Sequence, residues 1–286
     1  MYTVFIQSYN SPNKCSTLDL LVKYKFNNNY YIIIGEDDPK IEAYKNVYKN
    51  HLLIFDKEKY KNTTDTITFP KQNCSAVYVK NFIEDYTQEN NIENFVIIDD
   101  DLERFNIRYP NFEGKIKVYD VENIDIIFNL YFQYMNEANI DGLCFGSQYL
   151  YMGGMNSYYN LGKRMLTNVY IRTNKNKVNW KSLVFDDFNT SLDITSKHLI
   201  FLMIPFVSMI FAPQYFQLLN KGLIAGGEDL GLQTLYDNSN SFERAFYSTV
   251  ICPSSAKPYK NKNVYMPNIK LNNVFPKIIS DKFNNF

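Results

Sequence analysis

The chain has 286 residues, enough for one large domain or two small ones, and 45% apolar against 21% charged residues excludes a disordered protein. Thirty basic and 30 acidic side chains give a formal net charge of zero, so no overall basic field marks a nucleic-acid binder and any such contact must rest on a local patch. The four cysteines, Cys15, Cys74, Cys144 and Cys252, are too scattered for a zinc spacing or a compact disulfide framework, which predicts reduced thiols and a cytoplasmic protein.

Met1 to Asn10 lacks the basic start, apolar core and small-residue site of a secretory signal. Thr3 to Ile6 instead predict a buried strand, followed by a polar loop closed by Pro12. Ser16 or Thr17 is the expected cap of a helix running to about Lys25, with Leu18, Leu21 and Val22 on its packing face. Tyr30 to Ile34 form the next predicted strand, ending in Gly-Glu-Asp-Asp-Pro. A right-handed βαβ unit puts both loop ends on one rim of the sheet, so Ser8, Asn10, Glu36 and Asp37 become neighbours. No Gly-rich phosphate loop follows either strand, which argues against a nucleotide triphosphatase or a dehydrogenase.

A short helix over Ile41 to Tyr48, a strand over Leu52 to Phe55, a surface loop over 56–73 and a helix over Cys74 to Asn90 come next. They lead to the most informative stretch, in which the apolar run Phe95 to Ile98 stops abruptly at Asp99, Asp100 and Asp101. Three adjacent carboxylates repel one another, and a divalent cation carrying a phosphate ligand would relieve that repulsion at the mouth of an open α/β sheet. Asp99 and Asp101 lie two apart on extended backbone and share a side, which suits one Mg2+ or Mn2+. Asp100 faces the other way, to be held by the fold or to touch a donor sugar. The alternation predicts a mostly parallel, doubly wound α/β sheet with helices on both faces.

Past Arg104 the pattern changes. Short strands are expected at Ile116 to Tyr119, Gly142 to Gly146, Asn168 to Ile171 and Val207 to Phe211, and helices at Ile124 to Ala138 and Ser191 to Ile204. The apolar segment Leu199 to Ala212, interrupted by Pro205, is too short to span a bilayer, so no membrane partner is predicted. From Pro253 onward the chain reads as an irregular tail.

A cation held by strand-end carboxylates, with no phosphate loop, suits a substrate that brings its own diphosphate; a second carboxylate would then deprotonate an acceptor hydroxyl. Asp187, with Asp186 beside it, is the first candidate for that base, and Glu228 and Asp229, after the close-approach glycines Gly226 and Gly227, are the competing pair. A helix cap with a first-turn acid is the ordinary explanation of either pair. His198 is a candidate third metal ligand, Arg104 could meet a diphosphate or pair with Glu103 or Asp101, and Ser8 and Asn10 sit where a nucleoside would lie.

Ser-Tyr-Asn-x-Pro after the first strand, Gly-Glu-Asp after the second, Tyr44, Val-Ile-Ile-Asp-Asp-Asp-Leu, the later Phe-Asp-Asp-Phe-Asn-Thr-Ser-Leu and the glycine pair together resemble glycosyltransferases of the type-A (GT-A) fold. They are most similar to the TET/JBP-associated branch, relatives of the kinetoplastid base J glucosyltransferase that also occur in bacteriophages. The resemblance spans roughly Tyr2 to Cys252. It implies a single GT-A-like domain over 1–252, with a nucleotide-sugar half at 1–105 and an acceptor half at 106–252, before a tail at 253–286. It also implies donor contacts at Ser8, Asn10, Glu36, Asp100 and Arg104, metal contacts at Asp99 and Asp101 in a DxD motif, a base at Asp187 and acceptor contacts at Gly226, Gly227 and Glu228. The expected activity is transfer of a sugar, with inversion, from a nucleotide donor such as a UDP-sugar to a hydroxymethylated pyrimidine in phage DNA, in the host cytoplasm. Two departures stand out: Asp186 where the branch more often has Glu, and Lys80 before Asn81 where Arg is expected. A surface-glycan acceptor is the alternative, and a non-catalytic nucleic-acid-binding module, disfavoured by zero net charge, is the third. The aromatic and Lys-bearing stretches Tyr149 to Arg164 and Lys257 to Lys270 are the expected DNA contacts.

Overall fold

The computed structural model describes residues 1–66, 76–147, 151, 154–155, 169–183, 185–197, 199–211, 241–261 and 264–270. The first half is the expected alternation of strand and helix. Strands β1 (Thr3–Gln7), β2 (Asn29–Gly35), β3 (Leu52–Phe55) and β4 (Asn94–Asp99) run parallel in the order β3-β2-β1-β4. Helices α1 (Ser16–Lys23) and α2 (Ile41–Tyr48) join the first three strands, while α3 (Lys57–Thr63) and α4 (Ala76–Glu89) lie between β3 and β4. The chain thus steps outward from β1 to β3 and then back across to β4. Right-handed crossovers in opposite directions put α1 and α2 on one face and α3 and α4 on the other.

The packing agrees. Val4, Ile6, Ile32, Ile34, Val96 and Ile98 face Leu20, Leu21, Tyr44 and Tyr48, whereas Phe5, Ile33, Phe95 and Ile97 face Tyr60, Val77, Tyr78 and Ile83. Adjacent strand residues go to opposite faces, so a continuous apolar run is what two buried faces require. Each such side chain contributes about 1.5–3 kcal/mol when fully buried.

Beyond β4 the sheet continues with mixed directions, through β8 (Tyr170–Thr173), β7 (Gly142–Ser147), β9 (Phe201–Phe211), β5 (Leu102–Pro110) and the edge strand β6 (Ile116–Asp120). Only β7 and β9 pair in parallel in this half. Strands β4 and β5 are separated by two residues of chain yet stand four strand spacings apart. A flat sheet would need about 19 Å there, and three peptide units reach about 11 Å, so the sheet must curl. The curl has a visible cause in β9, where the residues paired with consecutive Phe145 and Gly146 of β7 jump from Ile204 to Ser208 across Pro205, while Val207 pairs with Ile107 of β5. Pro205 cannot donate to a ladder, and the strand bends where it changes partner.

Helix α5 (Ile124–Ala138) covers the curled half through Phe128, Phe132 and Met135. Helices α6 (Asp186–Ser196) and α7 (Ser241–Ile251) pack together, and a hairpin of β10 (Ala256–Asn261) and β11 (Val264–Ile269) lies against α7.

Several expectations change here. Residues 57–63 are helical rather than loop, with Asp56 accepting from the Lys59 N–H at 2.8 Å as a cap. The segment expected as one helix over Ser191 to Ile204 is the end of α6 followed by β9. Residues 256–261 and 264–269 form the hairpin rather than an irregular tail. Val22 is 68% exposed, and α1 packs through Thr17, Leu20 and Leu21 instead.

Candidate active site

Strand order reverses between β1 and β4, and the crevice beyond the carboxyl ends of such a pair is where open α/β sheets bind ligands. The acidic triplet closes that crevice. Its backbone is pinned from below by the start of α1. Thr17 Oγ1 donates to the Asp99 carbonyl at 2.6 Å and accepts the Leu102 N–H at 3.0 Å, while Ser16 Oγ and Thr17 N–H both donate to the Asp100 carbonyl at 3.2 Å. Neither hydroxyl caps its own helix, contrary to expectation; both are spent on holding the turn.

β4 ends at Asp99, and Asp100 and Asp101 form a turn rather than the expected extended backbone, so the three carboxylates diverge. Asp100 turns toward α2 and accepts from Ser8 Oγ, which stands 2.7 Å from the Tyr44 hydroxyl, itself accepting the Ser11 N–H at 2.9 Å. Asp99 turns toward α4 and accepts from Gln7 Nε2, its register partner on β1. Asp101 Oδ1 is buried without a hydrogen-bond partner, as is Gln7 Oε1. Burial, with the Asp101 charge next in weight, pushes Asp99 up to about 7; burial pushes Asp100 up to about 7, and burial with the Asp100 charge pushes Asp101 up to about 6.

The acid pair arrives from the opposite side. Phe185 adopts a left-handed φ of 51°, an uncommon and costly choice for an aromatic residue, and α6 starts directly after it with Asp186 and Asp187. Lys80 Nζ reaches both, at 2.6 Å from Asp186 Oδ2 and 3.0 Å from Asp187 Oδ1. The Tyr170 hydroxyl donates to the same Oδ1 of Asp187. Lys80 is 5% exposed, with its ammonium 5.0 Å from the Tyr170 ring centre and 4.8 Å from that of Trp180. Burial opposes the ammonium, but the charges of Asp186 and Asp187 outweigh it and the lysine's pKa is raised. Burial also raises Asp186, against the opposing pull of Lys80. The two carboxylates keep 21% and 23% side-chain exposure, so a substrate can reach them.

Helix and strand periodicities explain why Lys80 points here. Lys80 and Glu84 are one turn apart on α4, about 6 Å, and Tyr170 and Arg172 are two apart on β8, about 6.6 Å, so both pairs face each other in step. Below the site Arg172 and Glu84 form a fully buried bidentate ion pair, 3.1 Å at each contact. Asn81 adds a two-way bond to the Trp180 backbone, donating at 3.0 Å and accepting at 2.8 Å. Charge links the halves across the crevice, since Lys80 stabilises and Asp187 destabilises the Asp99 carboxylate.

The other candidate residues are more dispersed. Asn10, at a left-handed φ of 53°, donates its N–H to Asp38 at 2.8 Å, and its carbonyl accepts from Lys40 Nζ at 2.9 Å. Glu36 is exposed on the same rim. Arg104 lies 3.9 Å from Asp120 in a solvated pair on β5 and β6, not against Glu103 or Asp101. His198, Gly226, Gly227, Glu228 and Asp229 lie outside the described residues, as do 148–150 and 156–168 of the aromatic loop.

Gln7, Tyr170 and Trp180 are additions that sequence reading missed, and Lys80 was noted there only as a departure. Its signal was available: a lysine among Val77, Val79 and Ile83 on the buried side of a helix needs a partner.

With this geometry in view, comparison with known proteins is decisive for the family. The family model described as TET-associated glycosyltransferase matches residues 2–210. The chain belongs to the TET-associated glycosyltransferase family. Glycosyl transfer is therefore its activity in the coarse sense, and both acidic segments fall inside the matched region. The match ends before the Gly226–Gly227 pair, so the likeness drawn from sequence as far as Cys252 is shortened at that end. No curated protein matches the chain. Among solved structures, a cytidylyltransferase from Leptospira borgpetersenii serovar Hardjo-bovis (strain JB197) aligns over 83% of this chain and 93% of its own, with 13% identity and a TM-score of 0.40, too slight a likeness to carry an argument. Among the described residues, no helix of this glycosyltransferase is long and apolar enough to cross a membrane.

Proposed function

We propose that this glycosyltransferase moves a sugar from a nucleotide-sugar donor to the hydroxyl of a hydroxymethylated pyrimidine in DNA, with a divalent cation at the triplet. The observation that supports the site is that buried Lys80 pairs with Asp186 and Asp187 while its charge reaches Asp99. Among the described residues no three Asp, Glu, His or Cys side chains are grouped to hold a metal. A Mg2+-like ion, however, takes one or two protein carboxylates and leaves positions for substrate phosphates. Asp99 and Asp101 meet that need, and the orphaned Asp101 Oδ1 is the atom that fits it. When bound, such an ion would neutralise charge on a departing nucleoside diphosphate.

The chain's own residues supply the rest. Asp187 has Oδ1 held by Lys80 and Tyr170, which orients its other oxygen toward an acceptor hydroxyl. As the acceptor oxygen bonds to the anomeric carbon, the bond from that carbon to the diphosphate oxygen breaks and the hydroxyl proton passes to Asp187. Direct displacement inverts the sugar carbon. Asp186 takes the closer contact of Lys80 and serves as counter-charge, leaving Asp187 the better-placed base. Ser8 and Tyr44 keep Asp100 on the far side of the turn, at the wall against which a donor would lie. Asn10, Glu36 and Arg104 are donor contacts and Gly226, Gly227 and Glu228 acceptor contacts in this reading. A base in duplex DNA must leave the stack to reach such a crevice.

The test is incubation with UDP-glucose and other nucleotide sugars, Mn2+ or Mg2+, and DNA carrying hydroxymethylated pyrimidines, followed by nucleoside mass spectrometry. A glycosylated nucleoside is expected. None with any donor, alongside transfer to a glycan primer, would overturn the DNA acceptor while leaving the transferase intact.

A further inference from the structure

Gln7 ends β1 directly opposite Asp99 in the parallel register, on the α4 face. Its amide is used on one side only. Nε2 donates to Asp99 Oδ1, while Oε1 is buried with no hydrogen-bond partner. Asp101 Oδ1, two residues on from Asp99, is in the same condition. A buried acceptor left unpaired costs about 1–3 kcal/mol, and native proteins keep few of them. Two such oxygens, one on the register partner of Asp99 and one two residues beyond it in the chain, call for an explanation. Hard divalent cations accept amide carbonyls as readily as carboxylates, and a neutral ligand adds an oxygen without adding a third negative charge.

We propose that Gln7 is a protein ligand of the cation site, its Oε1 joining Asp99 and Asp101. This rests on the cation reading given under Proposed function and extends it by one residue. Gln7 acts twice: its N–H side aims Asp99, and its carbonyl side faces the ion. In this arrangement a neutral amide oxygen completes what two carboxylates begin.

The experiment is titration of Mn2+ into the purified protein without any sugar nucleotide, with free Mn2+ followed by electron paramagnetic resonance and melting temperature measured in parallel. Gln7→Met keeps the side-chain length and removes both polar atoms. Its Mn2+ dissociation constant is expected to rise about ten- to hundredfold, with the metal-free melting temperature unchanged. Gln7→Glu, which keeps an oxygen in place should Gln7→Met fail to fold, is expected to bind Mn2+ at least as tightly as wild type. Wild-type protein that binds neither Mn2+ nor Mg2+ would overturn the cation reading itself. Wild-type binding matched by equal binding in Gln7→Met, or weakened binding in Gln7→Glu, would overturn the role of Gln7 alone.

Discussion

The two acidic segments look alike in sequence and are opposites in the fold. At the end of β4 three carboxylates are drawn into the crevice with hydrogen bonds from Ser8 and Gln7 as their side-chain partners and one oxygen left over. At the start of α6 two carboxylates share a buried ammonium and a tyrosine hydroxyl. Lys80 pairs directly with the second cluster and acts on the first only by charge at a distance. Under the proposed function, the difference separates a place for a cation that arrives with its substrate from a place whose charge is set and aimed beforehand.

The strongest way to break this contrast is to neutralise one acid in each cluster. Asp187→Asn is expected to lower kcat by about 10²- to 10⁴-fold, the range of a general base, with Mn2+-dependent donor binding intact by calorimetry. Asp101→Asn is expected to abolish that binding and also to raise the metal-free melting temperature, because an unpaired buried charge is removed. Relief of about 1 kcal/mol corresponds to about 2–4 °C in a chain of this size. Equal loss of donor affinity in both variants would show that the division of labour is wrong.

Removing the built-in cation comes next. Lys80→Met leaves two carboxylates facing each other with their counter-ion gone, and breaking a buried pair in this way costs about 3–5 kcal/mol. The melting temperature should fall, and partly recover as the pH is lowered and Asp186 takes up a proton. Lys80→Arg should restore most of the stability. A Lys80→Met protein as stable as wild type at pH 8 would mean that the ion pair is not what holds α6 in place.

These outcomes bear on what could be read from sequence. The α/β class, the rim holding Ser8, Glu36 and Asp99, and the limits of α5 were legible because each rests on local chemistry: period-two and period-3.6 apolar patterns, and Asn123 and Asn139 at the two ends of α5, the one accepting from the Ile126 N–H at 3.2 Å and the other left-handed at φ 51°. Strand β5 was not legible, because exposed Glu103 and Arg104 stand side by side and the polar Asn106 is buried, which blurs the alternation. Nor was the meeting of Asp99 with Asp187, which depends on β8 entering antiparallel beside β4 and on the turn at Phe185. A helix cap and the proposed base have the same sequence signature, which does not reveal the Lys80 and Tyr170 contacts that hold Asp187.

A smaller effect is expected from pH. Asp99 and Asp100 are raised from 3.8 to about 7 and Asp101 from 3.8 to about 6, so the folded state holds their protons more tightly than the unfolded chain does. That contribution is full below about pH 4 and is lost as pH rises toward 7. Lys80, raised above 10.5, adds no slope in this range. The metal-free protein should therefore melt lower at pH 8 than at pH 5.5, and saturating Mn2+ should flatten or reverse the difference. A metal-free melting temperature that climbs across this interval would contradict the picture of carboxylates whose charge is opposed chiefly by burial.

The finest test separates the two donors on Asp187. Tyr170→Phe removes the hydroxyl that reaches Oδ1 but leaves the Lys80 contact at 3.0 Å and the ring beneath the ammonium. A hydrogen bond to a carboxylate is worth about 1.5–2 kcal/mol at the lower end of its range, so kcat should fall about ten- to thirtyfold, with the KM for donor unchanged because the hydroxyl touches Asp187, the proposed base, and not the triplet. Fold stability should hardly move, since the aromatic packing of Tyr170 against Trp180 at 4.7 Å is retained. A loss of a hundredfold or more would show that the tyrosine, rather than the lysine, sets the aim of the carboxylate. A rise in donor KM would show that the acid pair contacts the donor as well as the acceptor.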